Sequence, residues 1–166
     1  MEAPITEDWS GFYIGAQLGA GEFVGVGGTE DLSAVGAHVG YMYDFGKFVL
    51  GGEFAYNRLD ADLAVGTANE EYDTAVVKLR AGYDLGKIMP YVVAGSTEFD
   101  MSIDGTSADG AGPMVGIGIM YAVGDNFLLG AEYSSSRIED FNVTTSTASG
   151  VDLDINVLSL RASYKF

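Results

Sequence analysis

The residues that could do ionic or acid–base chemistry from within the apolar segments of this chain are few and widely spaced. They are the carboxylates Glu53 and Glu132, the cations Lys78, Arg80 and Arg161, and a single histidine, His38. Ser96, His38 and Glu53 supply the residue types of a nucleophile, base and carboxylate set. Such common types, unaccompanied by a local motif, are weak grounds for catalysis, and no catalytic residue is expected. The stretch DGTSADG (Asp104 to Gly110) shares Asp and Gly with a calcium loop but lacks the alternating ligands and the terminal glutamate. Asp and Gly at those positions suit a turn. HExxH, EF-hand spacing and a phosphate-cradling loop before a helix are all absent from the sequence, and no cofactor is expected.

Composition narrows the partners. The 166 residues include 24 glycines, 3 prolines and no cysteine, and carry a formal charge of −16. Disulfides and cysteine-based metal sites are therefore impossible. The acidic balance argues against nucleic acid, whose phosphates need a basic face. At 48% apolar residues the chain is too hydrophobic for a disordered acidic tail. No stretch reaches the roughly 18 apolar residues of a membrane helix; the longest uncharged segment, Gly110 to Gly124, holds five glycines. Met1 is followed directly by Glu2, Ala3 and Pro4, so the reading is of a mature chain with an added initiator Met.

Two eight-residue patterns alternate four times. Pattern one is FYIGAQLG from Phe12, FVLGGEFA from Phe48, YVVAGSTE from Tyr91 and FLLGAEYS from Phe127. Pattern two is GAHVGYMY ending at Tyr43, VVKLRAGY at Tyr83, MVGIGIMY at Tyr121 and VLSLRASY at Tyr164. Short glycine-containing turns follow pattern two, as in YDFG, YDLG and YAVG. Longer acidic stretches follow pattern one: Gly25 to Asp31, Asp62 to Asp73, Asp104 to Gly110 and Phe141 to Asp152. Side chains alternate with period two, Phe12, Ile14, Ala16 and Leu18 opposing Tyr13, Gly15, Gln17 and Gly19. Eight antiparallel strands are predicted, in one domain over residues 10–166 after an N-terminal segment over 1–9.

A soluble barrel would place the apolar face inside, as in a lipocalin-type binder; a membrane barrel places it outside. Putting Glu53, Lys78, Arg80, Glu132 and Arg161 inside leaves an apolar exterior, with Phe12, Tyr43, Phe48, Tyr83, Tyr91, Tyr121, Phe127 and Tyr164 at the short-turn end. An aromatic girdle at one membrane interface needs that placement. The prediction is an all-β, eight-stranded, antiparallel, up-and-down transmembrane β-barrel.

The segments WSGFYIGAQLG, GYMYDFG, GYDLG and the ending LSLRASYKF resemble the small eight-stranded outer-membrane proteins of Gram-negative bacteria. The resemblance is to the porin-like surface antigens of alphaproteobacteria, related to the outer membrane protein A transmembrane domain. It implies short periplasmic turns, long extracellular loops and residence in the outer membrane among lipid and lipopolysaccharide. It also implies that Leu158, Leu160, Ala162, Tyr164 and Phe166 form the carboxy-terminal signal for the barrel-assembly machinery. A monomer is expected.

Registering each strand on its aromatic mark puts Gln17, Glu53, Ser96 and Glu132 at one interior height, with His38, Lys78, Gly116 and Ser159 opposite. Arg80 and Arg161 lie one inward step nearer the short turns. An eight-stranded barrel is just wide enough for side chains to fill it, so a closed polar and charged interior is expected. It suits a structural or surface-interaction role; a narrow, gated, cation-preferring channel and a lipid A-modifying enzyme are the alternatives. The long-loop half holds sixteen acids against Arg58 and Arg137, so −14 of the charge belongs to that end. Such a rim would attract divalent cations.

Overall fold

The computed structural model describes residues 7–25, 28–61, 71–103, 106–143 and 153–166, and the observations that follow concern those residues. Eight strands run in chain order: β1 (Gly11–Gly25), β2 (Gly28–Asp44), β3 (Phe48–Ala61), β4 (Glu71–Tyr83), β5 (Ile88–Ile103), β6 (Thr106–Val123), β7 (Phe127–Val143) and β8 (Leu153–Lys165). Each pairs antiparallel with the next, and β1 pairs with β8, closing the barrel. Closure satisfies the backbone of every strand and leaves no edge.

The faces follow the period-two pattern. On β4, Val77, Leu79, Ala81 and Tyr83 point out and are exposed, while Val76, Lys78, Arg80 and Gly82 are buried. Leu79, Leu160 and Leu18 are 72%, 66% and 65% exposed, which is sensible only for a surface that meets lipid. At the short-turn end, aromatic pairs stand edge to face across neighbouring strands: Phe12 with Tyr41 at 4.8 Å, Phe48 with Tyr83 at 5.4 Å and Phe127 with Tyr164 at 5.3 Å between ring centroids. Tyr43 and Tyr121 face outward at the same end.

One girdle assignment is corrected. Tyr91 is 4% exposed and points into the barrel, so β5 stands one residue out of step with the aromatic alignment. Ser96 accordingly faces outward, and Gly95 and Thr97 occupy the inner positions. A shift of one residue turns a whole strand face over; here the aromatic at the strand start marked the wrong face.

The acidic stretches also differ from expectation. β1 and β2 stay paired up to Gly25 and Gly28, and β5 and β6 up to Ile103 and Thr106, so much of Gly25–Asp31 and Asp104–Gly110 is strand. β6 has 18 residues, against the roughly 9 to 11 needed to cross the hydrocarbon. Strands that continue beyond the bilayer can carry charge, because their outward side chains there meet water; Glu22 and Asp31 are exposed. The expected loops at 62–70 and 144–152 fall outside the described residues.

Two short turns share a device. In YDFG and YDLG the glycines adopt positive φ, 102° at Gly46 and 88° at Gly86, a conformation that favours glycine. The Asp44 and Asp84 carboxylates accept the Gly46 and Gly86 N–H groups at 2.7 and 2.6 Å. Both aspartates also hold the segment before β1: Asp44 accepts the Trp9 backbone N–H at 3.2 Å, and Asp84 the indole N–H at 3.2 Å. Trp9 is fully buried beside Met42, Val49, Met89, Met120, Ala122 and Leu128. That apolar cluster seals the short-turn end of the barrel.

Glycine makes room above it. Tyr13 on β1 pairs with Gly40 on β2, and Tyr91 on β5 with Gly118 on β6. A Cβ on either glycine would collide with the phenol ring lying across it. Replacing Gly118 with Ala should therefore cost about 1–3 kcal/mol through overpacking. Gly52→Ala, on the outer face where a Cβ would meet only Leu79 at 4.0 Å, should stay within about 0.5 kcal/mol. Urea unfolding of the refolded barrel in detergent micelles measures both.

Candidate functional site

The five charged residues predicted to face inward meet in one layer. Glu53 on β3 is 4% exposed and accepts from Arg161 Nη2 at 2.5 Å, Tyr13 Oη at 2.7 Å and Arg80 Nη2 at 2.8 Å, with Lys78 Nζ at 3.1 Å. Glu132 on β7, also buried, accepts from Arg161 Nη1 at 2.7 Å, Tyr91 Oη at 2.9 Å and Lys78 Nζ, with Arg80 Nη2 at 3.7 Å. Arg80 also lies over the Tyr91 ring, 4.3 Å from its centroid, and donates to Tyr13 Oη at 3.2 Å. Each cation thus reaches both carboxylates, and the cluster spans the barrel from β3 to β7.

Strand geometry explains the meeting. Gly40 pairs with Tyr13 on one side and Glu53 on the other; Gly118 pairs likewise with Tyr91 and Glu132. The first four strands and the last four therefore each contribute a tyrosine, a glycine and a glutamate in adjacent strands at one height. Next in order come Arg80, paired with Gly51, and Arg161, paired with Gly130. Beside Glu53 the partner is Lys78, whereas beside Glu132 it is Ser159. The two halves match in kind at every one of these positions except the last.

Gln17 and His38 are buried but stand outside the ionic layer. Gln17 Nε2 donates to Asn57 Oδ1. His38 Nε2 lies 2.7 Å from Ser163 Oγ, and its Nδ1 has no partner. Ser96 is on the other side of the sheet, so Ser96, His38 and Glu53 do not assemble. The tyrosines were missed by looking for charges alone. Tyr13 could have been found from its place on the inner alternation with Gln17, and Tyr91 from its spacing to Gly118 and Glu132, which closely repeats that of Tyr13 to Gly40 and Glu53.

Between this layer and the acidic end lies a cavity of about 60 Å³, bounded by Lys78, Glu132, Ser134 and Ser159 among others. Leu32, Leu59 and Ile155 are buried higher up. Going from the short turns upward, the interior is apolar, then ionic, then hydroxyl-lined and partly hollow.

The carboxylates dominate the local energetics, because a buried charge stripped of its partner is left uncompensated. Glu53→Ala should destabilise the barrel by about 3–5 kcal/mol, read as a lowered urea midpoint. Arg58→Ala, which removes an exposed pairing with Asp73 at 3.4 Å, should change it by less than about 1 kcal/mol.

The geometry has counterparts among known proteins. Residues 1–166 match the outer membrane protein β-barrel domain family. The 25 kDa outer-membrane immunogenic protein of Brucella canis is 28% identical over 185 residues, covering all of this chain and 83% of that protein. Neisserial surface protein A superposes with a TM-score of 0.66 at 21% identity, covering 95% of this chain and 98% of its own. Ail, the attachment invasion locus protein of Yersinia pestis, gives 0.65 at 15% identity, covering 95% and 99%. With a closed eight-stranded ring, a lipid-facing exterior and a family match along its full length, this chain belongs to the outer-membrane β-barrel domain family and resides in the bacterial outer membrane.

Proposed function

We propose that the barrel is closed and monomeric, and that it works through the surface it presents outside the cell and not through a pore or a reaction. The carrying observation is the doubly cross-linked ionic layer. Arg161 and Lys78 each hold Glu53 and Glu132 at once, so moving one cation leaves both carboxylates still bridged by another. Below it, Trp9 and the methionines form a second, dry seal. A gate worked by partner exchange would need a cation with somewhere else to go. Planar-bilayer recording tests this: wild type should stay at baseline conductance at both polarities, and so should Lys78→Ser. Discrete openings in wild type would contradict the closed reading and favour the narrow channel.

A lipid A-modifying role is disfavoured by the same geometry. His38 is 2% exposed, inside the barrel, without a carboxylate on Nδ1. Lipid, which meets only the outer face, does not reach it.

The relatives, a surface protein, an attachment protein and an immunogenic protein, support a role at the exposed end. One Ail structure holds a heparin analogue, sucrose octasulfate. The acidic long-loop stretches of this chain would repel such a sulfated polyanion. Divalent cations drawn to this rim would bridge it to anionic lipopolysaccharide. Calcium at constant ionic strength should raise the melting temperature of the barrel in lipopolysaccharide-containing bilayers more than potassium does; equal effects would remove the bridging role. The outward row Leu158, Leu160, Ala162 and Tyr164 on β8, with Phe166 just after it, is the segment by which the barrel-assembly machinery would take hold of the chain.

A further inference from the structure

We infer that the interior holds a small monovalent anion, a halide or a formate-sized carboxylate, in the cavity above Lys78. The ionic layer contains three cations, Lys78, Arg80 and Arg161, and two carboxylates, Glu53 and Glu132. It therefore carries one surplus positive charge in a low-dielectric interior, where an unbalanced charge is costly. The two halves of the barrel identify the surplus. Two arginines against two glutamates are neutral; Lys78 is the extra charge, and its counterpart in the other half is the uncharged Ser159.

Hydrogen bonding points the same way. Arg80 Nε and Arg161 Nε are buried donors with no acceptor; they lie within the layer and do not border the cavity, where the cation among the described residues is Lys78. The two Glu132 oxygens are already engaged by Lys78, Tyr91 and Arg161. The cavity begins at this point. Lys78 and Glu132 border it, and the hydroxyl residues Ser134, Ser159 and Thr97 line it; hydroxyls and an ammonium are donors that suit an anion. The buried, unpartnered oxygen of Gln17 also borders it and would be met by a water accompanying the ion. At roughly 15 Å³ per water position, about 60 Å³ has room for one small ion with a few waters.

The inference rests on the placement of the charge layer and not on whether the barrel conducts, so its test is independent of the bilayer recording. The ³⁵Cl NMR linewidth of chloride is measured with the refolded full chain in detergent micelles, at constant ionic strength with gluconate as the bulky replacement. Wild type should show saturable excess broadening. Displacement by formate at lower concentration than bromide would identify the carboxylate as the better occupant, and the reverse order the halide. Lys78→Ser, which copies the residue the other half carries, should weaken binding at least tenfold, and Glu132→Gln, which adds a second surplus charge, should tighten it severalfold. Folding of each variant is checked by heat-modifiable gel migration. Absence of saturable broadening in folded wild type would overturn the site, as would unchanged broadening in folded Lys78→Ser.

Discussion

A charge inside a membrane barrel must find its partner inside the barrel, and the arrangement of this molecule follows from that constraint. Glu53 and Glu132 are each almost wholly buried, in a protein whose exterior is hydrocarbon. Solvent cannot compensate them, so two guanidinium groups, an ammonium and two phenols converge on them. The pairing fixes which residues face inward on six of the eight strands. It also fills the cross-section at one height, and the barrel is closed there by the same contacts that compensate the two carboxylates.

Room for that convergence comes from glycine. Tyr13 and Tyr91 lie across Gly40 and Gly118, and each delivers its hydroxyl to the glutamate one strand further on. Elsewhere the same economy appears in the turns, where Asp44 and Asp84 each hold a glycine N–H and the Trp9 segment together. The third short turn, YAVG, has Ala122 where the others have aspartate, and among the described residues no hydrogen bond to Trp9 is formed from it. An ordinary count of composition therefore becomes a division of labour: glycine inside for close approach, aspartate at the turns for closure, and at the far end exposed acids such as Glu22, Asp31 and Glu98.

Much of this was legible in the sequence because strand periodicity is a strong signal when one face is lipid. Phe12, Ile14 and Leu18 could hardly face anything else, and the inward set Glu53, Lys78, Arg80, Glu132 and Arg161 followed from the same alternation. What failed was β5. Its two faces, Tyr91, Val93 and Thr97 against Val92, Ala94 and Ser96, are nearly balanced in polarity, so alternation alone could not choose between them and an aromatic at the strand start decided it wrongly. Strand ends were illegible for a different reason: acidic residues in a wet hairpin look like a loop, because nothing in residue type records that the backbone remains paired. The Trp9 seal was invisible because it depends on a contact with Asp84, 75 residues away.

Arg80, Arg161 and Lys78 are held by hydrogen bonds in a closed interior layer. Hydrogen exchange of their side-chain N–H groups, followed by ¹⁵N NMR of the barrel in lipid nanodiscs, tests this most directly. The account predicts that the guanidinium protons of Arg80 and Arg161 exchange at least a hundredfold more slowly than those of the exposed Arg58 and Arg137. Equal exchange rates for the interior and exposed arginines would show that water passes freely through this layer and would contradict it.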